Sequence, residues 1–437
     1  MSLLIHGGTV IDPANERHAR LDVLVVDGRI AQVAEPGGIE IVTERIDVAG
    51  CWVVPGLIDM HVHLREPGYE YKETVETGAR AAVAGGFTAV ACMANTAPVN
   101  DNAAVTEFIR ERAVAANLAR VYPIGAVSVG LRGERLAEVG EMHAAGIVAL
   151  SDDGNAIADS VLMRRALEYS VMFNLPVITH EEDPGLAADG CMHEGEQSFR
   201  MGLKGIPAAA EEIMVARDIA LAARTGGRLH IAHISTAGAV MQVRQAKERG
   251  LPVTAEATPH HLTLTDGAVA GYDTNAKMKP PLRTAADVSA VIEGLREGVI
   301  DAIATDHAPH HRDEKEVEFE AAANGIVGLE TALPLSLRLH REAGVPIETI
   351  IRALTIGPAR ILGVGGGTLS VGAAADVTII DPQSEWQVDP EQFCSKSRNT
   401  PFAGWNMTGR AVCTLVGGRV VWRNESVAGR NKRSAVR

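Results

Sequence analysis

The feature that most constrains this chain is an alternation repeated between residues 53 and 305: apolar, β-branched runs separated by Ala-, Glu- and Arg-rich stretches of helical period. The runs lie near residues 53–61, 88–93, 121–127, 147–150, 177–180, 229–233, 253–257 and 302–305. Candidate helices at 101–115, 160–173, 207–224 and 240–248 stand between several of them. Repeated strand–helix units of this kind build a parallel sheet covered by its crossover helices. Eight units over roughly 300 residues predict an α/β fold, a (β/α)8 TIM barrel. An open, doubly wound sheet uses the same local pattern, so closure of the barrel is a question for tertiary structure.

The two ends of the chain read differently. Both carry short alternating apolar segments folded at glycine turns: segments 21–26 and 29–33 flank Asp27-Gly28, and segments 413–416 and 419–422 flank Gly417-Gly418. Both dipeptides suit tight hairpins. The ends are therefore expected to join as one small β-sandwich-like domain, residues 1–54 with 365–437, beside a barrel of residues 55–364. The closing GRNKRSAVR carries four basic residues and no acid, and reads as a solvated, frayed tail.

Charge narrows the partners. Asp plus Glu number 55 against 41 Lys plus Arg, a net charge of −14, which is the wrong sign for a phosphate backbone. Aromatic residues are only 4%, too few for a base-stacking platform, so no nucleic acid is expected. The five cysteines are scattered without a C-x-x-C, so neither a disulfide framework nor a thiolate metal site is suggested. The opening MSLLIHGGTVID lacks a basic region ahead of a long apolar stretch, and no charge-free run is long enough to span a bilayer. The expectation is a cytoplasmic protein with no membrane partner.

The chemistry lies at the strand ends. In VVPGLIDMHVHLREPG, His61 and His63 are two apart at the end of an apolar strand, so both imidazoles point to one face. Strand four ends in Asp152 and Asp153, strand five in His180, strand six in His233 and strand eight in Asp306. TIM barrels place their chemistry at this rim, and four imidazoles with two carboxylates make a donor set suited to zinc and similar divalent ions. Such an ion activates water and polarises a carbonyl, so the implied reaction is hydrolysis or its reverse. Asp306 is the candidate to take the proton of that water and deliver it to a leaving nitrogen.

The segments PGLIDMHVHLREPG and ATDHAPH, with the single histidines after strands five and six, resemble the amidohydrolase superfamily. HVHLREPG, CMANTAPV, SDDGN, TPHHL, NAKMKPPLR, DHAPH and GIVGLETALPL together resemble the type I dihydroorotases. The resemblance runs almost end to end. It implies reversible cyclisation of N-carbamoyl-L-aspartate to L-dihydroorotate in pyrimidine biosynthesis, with one or two Zn2+ held by His61, His63, Asp153, His180, His233 and Asp306. Related dihydropyrimidinases, hydantoinases and allantoinases bridge two metals with a carboxylated lysine at the end of strand four. Residues 147–155 contain no lysine here, and an aspartate takes that position, with the family pattern favouring Asp153 over Asp152.

The substrate is a dianion in its open form, and Arg65 suits its α-carboxylate. The resemblance adds Asn95, Asn275 and His310 to that grip, and Gly325 to the approach of the ring. Ala323-Asn324-Gly325 departs from the family pattern by placing a polar side chain at Asn324. His260 and His261, at the end of strand seven, have no ligand role in the family. The alternatives are a hydantoinase-type cyclic amidohydrolase, and a non-catalytic subunit of aspartate transcarbamoylase of the kind that has generally lost its metal ligands. A homo-oligomer is expected, and a complex with the transcarbamoylase is the further partner the resemblance suggests. The charged segment 310–325 reads as a solvated loop.

Overall fold

The computed structural model describes residues 2–39 and 43–424; the basic tail lies outside the described residues. Eight parallel strands form the central sheet: β1 (Leu57–Val62), β2 (Phe87–Cys92), β3 (Arg120–Pro123), β4 (Leu150–Ser151), β5 (Val177–Thr179), β6 (Leu229–Ile231), β7 (Val253–Ala257) and β8 (Ala302–Ile303). Strands β1 to β3 are paired in order, and so are β4 to β8. Two parallel bridges, Gly125 to Leu150 and Val62 to His307, close the ring. Closure excludes the open doubly wound sheet.

Several strands are shorter or displaced relative to the sequence expectation, and carboxylates account for two of them, β3 and β8. Beyond β3, the N–H groups of Val127 and Ser128 donate to Asp152 Oδ1 at 2.8 and 3.0 Å instead of to a neighbouring strand. Beyond β8, the Thr305 N–H donates to Asp59 Oδ1 at 3.1 Å. Side chains thus replace ladder partners where the strands splay toward the rim. Strand β4 starts at Leu150 rather than at residue 147.

The helices follow their capping residues. Thr74 and Thr77 form a reciprocal capping box at the start of Val75–Gly85, and Thr284 with Asp287 does the same for Ala285–Arg296. The helices bury their apolar faces against the outside of the strands in the largest core cluster. The barrel interior is lined by smaller residues, among them Ala91, Ala149, Ala232, Ala302 and Ala304, with Met60, Met93 and Ile178. Ile361 and Leu362, from the helix Ile356–Leu362, pack into that cluster.

The chain ends make two sheets. Ser2–His6, Asp22–Val26, Arg29–Ala34 and Glu44–Asp47 form one of four strands. The other has six, in the order Arg419–Arg423, Asn406–Val416, Val377–Gln387, Trp52–Pro55, Thr9–Asp12 and Arg17–Arg20. Ile5, Val23, Val25 and Ile30 of the first pack against Val10, Val53, Val377, Ile379 and Leu415 of the second. Both hairpins form, with positive φ at Asp27, Gly28, Gly417 and Gly418, the backbone a tight two-residue turn needs. Trp52–Pro55 runs into β1 through Gly56 alone, where a Cβ would lie 2.1 Å from Thr88 Oγ1. That close crossing ties the terminal sheets to the first barrel strand. Among the described residues, no helix is long and apolar enough to cross a membrane.

Candidate metal centre

The side chains at the C-terminal rim converge. Asp153 is central: its carboxylate lies 3.4 Å from both His61 Nε2 and His63 Nε2, 3.5 Å from His180 Nδ1 and 3.3 Å from His233 Nε2. Asp306 Oδ1 lies 2.9 Å from His63 Nε2 and 3.5 Å from His61 Nε2, and His180 Nδ1 is 3.0 Å from His233 Nε2. All six are buried. Their donor atoms form three overlapping triads: His61, His233 and Asp306; His61, His63 and Asp153; Asp153, His180 and His233. Backbone strain marks the same rim, since His233 and Asp306 hold φ of +33° and +47° without being glycine.

The arrangement fits a divalent ion. His61 Nε2 is buried without a hydrogen-bond partner while facing two carboxylates, an expensive state for a polar atom unless something coordinates it. Burial works to raise both carboxyl groups. The imidazoles outweigh it, His61 first in each case, and hold Asp153 and Asp306 below the usual carboxylate range. Two ionised oxygens donors and imidazole nitrogens around one point are the borderline-hard set that zinc prefers.

A supporting layer orients these side chains, and sequence reading missed most of it. Glu256, on β7, accepts from His61 Nδ1 at 2.6 Å, leaving the His61 Nε2 lone pair turned toward the cluster. Its other oxygen is 3.2 Å from His230 Nε2, whose Nδ1 is 2.8 Å from Thr254 Oγ1. Burial works against ionising Glu256, yet His61 and His230 bring its carboxyl down to about 2. Asp59 Oδ1 accepts the N–H groups of His61 and Thr305, tying β1 to β8 directly behind the cluster. The signal was present as acids inside the apolar runs LIDMH and VTAEA, because a carboxylate there is costly without partners.

The neighbouring aspartates part company. Asp152 turns away from the cluster and takes the Val127 and Ser128 N–H groups and the Ser128 hydroxyl. Burial raises its carboxyl to about 6 against those bonds. His261 is bound at both nitrogens, 2.8 Å from Thr258 Oγ1 and 3.0 Å from the Pro280 carbonyl, and so fastens the turn after β7. His260 keeps a buried Nε2 without a partner; burial brings its imidazole down to about 3, with His233 and His61 adding repulsion.

Beyond the cluster, Arg65 is half-buried, holds φ of +64°, and donates from Nε to the Pro309 carbonyl at 3.1 Å. Its Nη2 is 3.4 Å from His310 Nε2, and it forms no ion pair among the described residues. A guanidinium held this way is a preformed site for an anion. Asn95 Oδ1 lies 2.9 Å from His63 Nδ1, so that side chain also orients a rim histidine. Asn275 and His310 line one cavity of about 400 Å3 together with Lys315, Tyr71 and Asn399. Gly325, at φ +150°, abuts His310: a Cβ there would sit 2.8 Å from His310 Cδ2. Asn324 is exposed and uses its backbone carbonyl, which receives His310 Nε2 at 2.8 Å. The segment expected to be a solvated loop contains a short helix, Arg312–Lys315, and buries Lys315, Phe319 and Ala322.

The comparisons with known proteins agree with this geometry. The family model described as Dihydro-orotase-like matches residues 50–239. The dihydroorotase of Syntrophotalea carbinolica is 57% identical over 426 residues, covering 97% of this chain and 99% of its own. That of Anaeromyxobacter sp. (strain K) is 59% identical over 421 residues, covering 96% and 97%. Among solved structures, the L-hydantoinase (dihydropyrimidinase) of Arthrobacter aurescens has a TM-score of 0.86 at 25% identity, covering 96% of each chain. The dihydropyrimidinase of Brevibacillus agri NCHU1002 has a TM-score of 0.84 at 22% identity over 97% of this chain and 96% of its own, a likeness of fold alone.

Proposed function

This chain belongs to the dihydroorotase family, and from that premise we infer its reaction: reversible cyclisation of N-carbamoyl-L-aspartate to L-dihydroorotate and water, a step of pyrimidine biosynthesis. The observation that carries the reading is the pairing of a buried four-histidine, two-aspartate cluster with an arginine that has no carboxylate partner of its own. His61, His63, Asp153, His180, His233 and Asp306 would hold one or two Zn2+. Bound there, zinc lowers the pKa of water and polarises a carbonyl.

The protein's own groups do the rest. Arg65, with Asn95, Asn275 and His310, fixes the α-carboxylate and so aligns the side-chain carboxyl carbon with the ureido nitrogen. Holding both ends of a flexible dianion converts ring closure into a reaction between neighbours. Asp306 receives the proton that the ureido nitrogen loses as the new C–N bond forms and returns it to the departing carboxylate oxygen, which takes one further proton from solvent to leave as water, so that closure consumes one proton overall. In the hydrolytic direction Asp306 takes the proton from the attacking water and delivers it to the ring nitrogen. Gly325 brings backbone close to the ring where a Cβ has no room.

Hydantoinase-type enzymes share the fold, but their substrates lack the carboxylate that Arg65 would bind. A non-catalytic subunit of aspartate transcarbamoylase is disfavoured by the complete donor set. We also propose a catalytic barrel of residues 55–364 beside a β domain of residues 1–54 and 365–437, supported by the separate apolar core of the terminal sheets. Homo-oligomerisation, and assembly with aspartate transcarbamoylase, are proposed from the family resemblance alone; co-elution at working concentration tests both.

The deciding experiment is an NMR panel on metal-replete protein with dihydroorotate, carbamoyl aspartate, dihydrouracil, hydantoin and allantoin, against a chelated control. Chelator-sensitive interconversion of the first two alone is the expected result. Turnover of hydantoin or dihydrouracil overturns the role given to Arg65 and to the aspartate in place of lysine.

A further inference from the structure

Two lysines near His310 take no part in the reaction described above, and their environment is unusual. Lys277 and Lys315 are each only 4% exposed. Neither forms an ion pair among the described residues. A buried ammonium without a counter-ion is costly unless hydrogen bonds compensate it.

The compensation comes from one short stretch of backbone. Lys277 Nζ donates to the carbonyls of Glu320 and Ala322 at 2.8 and 2.7 Å, and stands 5.5 Å from the centre of the Phe319 ring. Lys315 Nζ donates to the carbonyls of Ala323 and Gly325 at 2.7 and 3.2 Å. His310 Nε2 takes the Asn324 carbonyl, and Asn399 Nδ2 adds a second bond to Gly325 at 3.0 Å. Five of the six carbonyls from Glu320 to Gly325 are thereby held by side chains. The Gly325 N–H meanwhile donates to the Lys277 carbonyl at 3.0 Å, so Lys277 holds the segment from both sides.

This stretch bears on the site through His310. Gly325 abuts His310, His310 is beside Arg65, and Lys315 itself lines the cavity shared by Asn275 and His310. A segment of three alanines, an asparagine and a glycine has little side-chain packing with which to hold its shape. Hydrogen bonds from the two amines to its carbonyls supply the missing rigidity. We propose that Lys277 and Lys315 are positioning residues for substrate binding, clamping the 320–325 backbone in the shape that seats His310 beside Arg65. The proposal rests on the functional reading above for the identity of the substrate, and on the hydrogen bonds alone for the clamp.

The test combines hydrogen exchange with kinetics on metal-loaded, full-length protein. Wild type is compared with Lys277→Met and Lys315→Met, which keep the length of the stem and remove the donors. Amides of residues 321–325 are expected to exchange about tenfold faster in each variant, without substrate. For carbamoyl aspartate and dihydroorotate, KM is expected to rise about tenfold while kcat falls less than about threefold, with metal content unchanged. Lys315→Arg, which keeps charge and donors, restores both readouts. If a Met variant fails to fold, Gln at the same position takes its place. Unchanged exchange, or faster exchange with an unchanged KM, overturns the proposal. A wild-type protein that does not turn over dihydroorotate overturns the functional reading instead, and the exchange data still decide the clamp.

Discussion

Glu256→Gln isolates how far the layer behind the histidine–aspartate cluster sets metal affinity. Glu256 is fully buried, with one oxygen 2.6 Å from His61 Nδ1 and the other 3.2 Å from His230 Nε2. The amide has the same shape and can satisfy both neighbours. Its oxygen accepts from His61 Nδ1–H and its NH2 donates to His230 Nε2, whose Nδ1–H then turns to Thr254 Oγ1. The fold is therefore expected to survive. What is lost is the charge on the acceptor: a bond to a charged group contributes about 1.5–3 kcal/mol, against about 0.5–1.5 for a neutral pair. The difference, about 1–1.5 kcal/mol, weakens the hold on His61 and makes its Nε2 a poorer donor, so metal affinity should fall by about tenfold, and by no more than about a hundredfold. Competition against a chromophoric chelator measures the affinity, and circular dichroism melting of the apo protein checks the fold. Wild-type affinity in a folded Glu256→Gln protein would refute the reasoning, as would a loss of affinity seen only when the apo protein is unfolded.

The two adjacent aspartates should separate cleanly. Asp153→Asn is expected to abolish metal binding, whereas Asp152→Ala should retain the metal and lose about 1–3 kcal/mol of stability, read by denaturant titration, because it unpairs the N–H groups of Val127 and Ser128. Asp306→Asn should abolish turnover while isothermal titration still detects dihydroorotate binding; full activity in that variant would remove the proton-carrying role. Glu330 gives a pH dependence: burial raises its carboxyl to about 7 despite bonds from the Cys394 and Ser395 N–H groups. A raised folded-state value means its contribution is fully present below the unfolded value of about 4.3 and is lost as pH rises toward 7. Glu330→Gln should therefore gain about 2 kcal/mol on wild type between pH 5 and pH 8, allowing for partial solvent screening, and an equal Tm difference at both pH values would exclude the effect.

Much of the rim is legible in the sequence. His61 and His63 announce a shared face through a period of two, and His180, His233 and Asp306 each stand where an apolar run stops. These are local properties, set by the pleat of a strand and by the tendency of parallel runs to be buried, so a linear reading reaches them. The hairpins at Asp27-Gly28 and Gly417-Gly418 are legible for the same reason, since the turn's backbone depends on the two residues that form it.

Other features depend on groups far apart in the chain. Asp152 and Asp153 are chemically alike, and only the neighbouring β3 turn, which offers two N–H groups to one of them, decides which faces the cluster. Glu256 is visible as an acid in an apolar strand, but its partner His61 lies 195 positions away. Lys277 and Lys315 look like ordinary surface charges in sequence; they become a clamp because the 320–325 backbone folds over them with its carbonyls turned inward. The sequence alone determined the strand–helix alternation and the ligand types at the strand ends, because periodicity and donor chemistry belong to single segments. Tertiary structure decided barrel closure and which donors meet which acceptors, because a buried polar group takes its partner from whatever the fold brings within hydrogen-bonding reach.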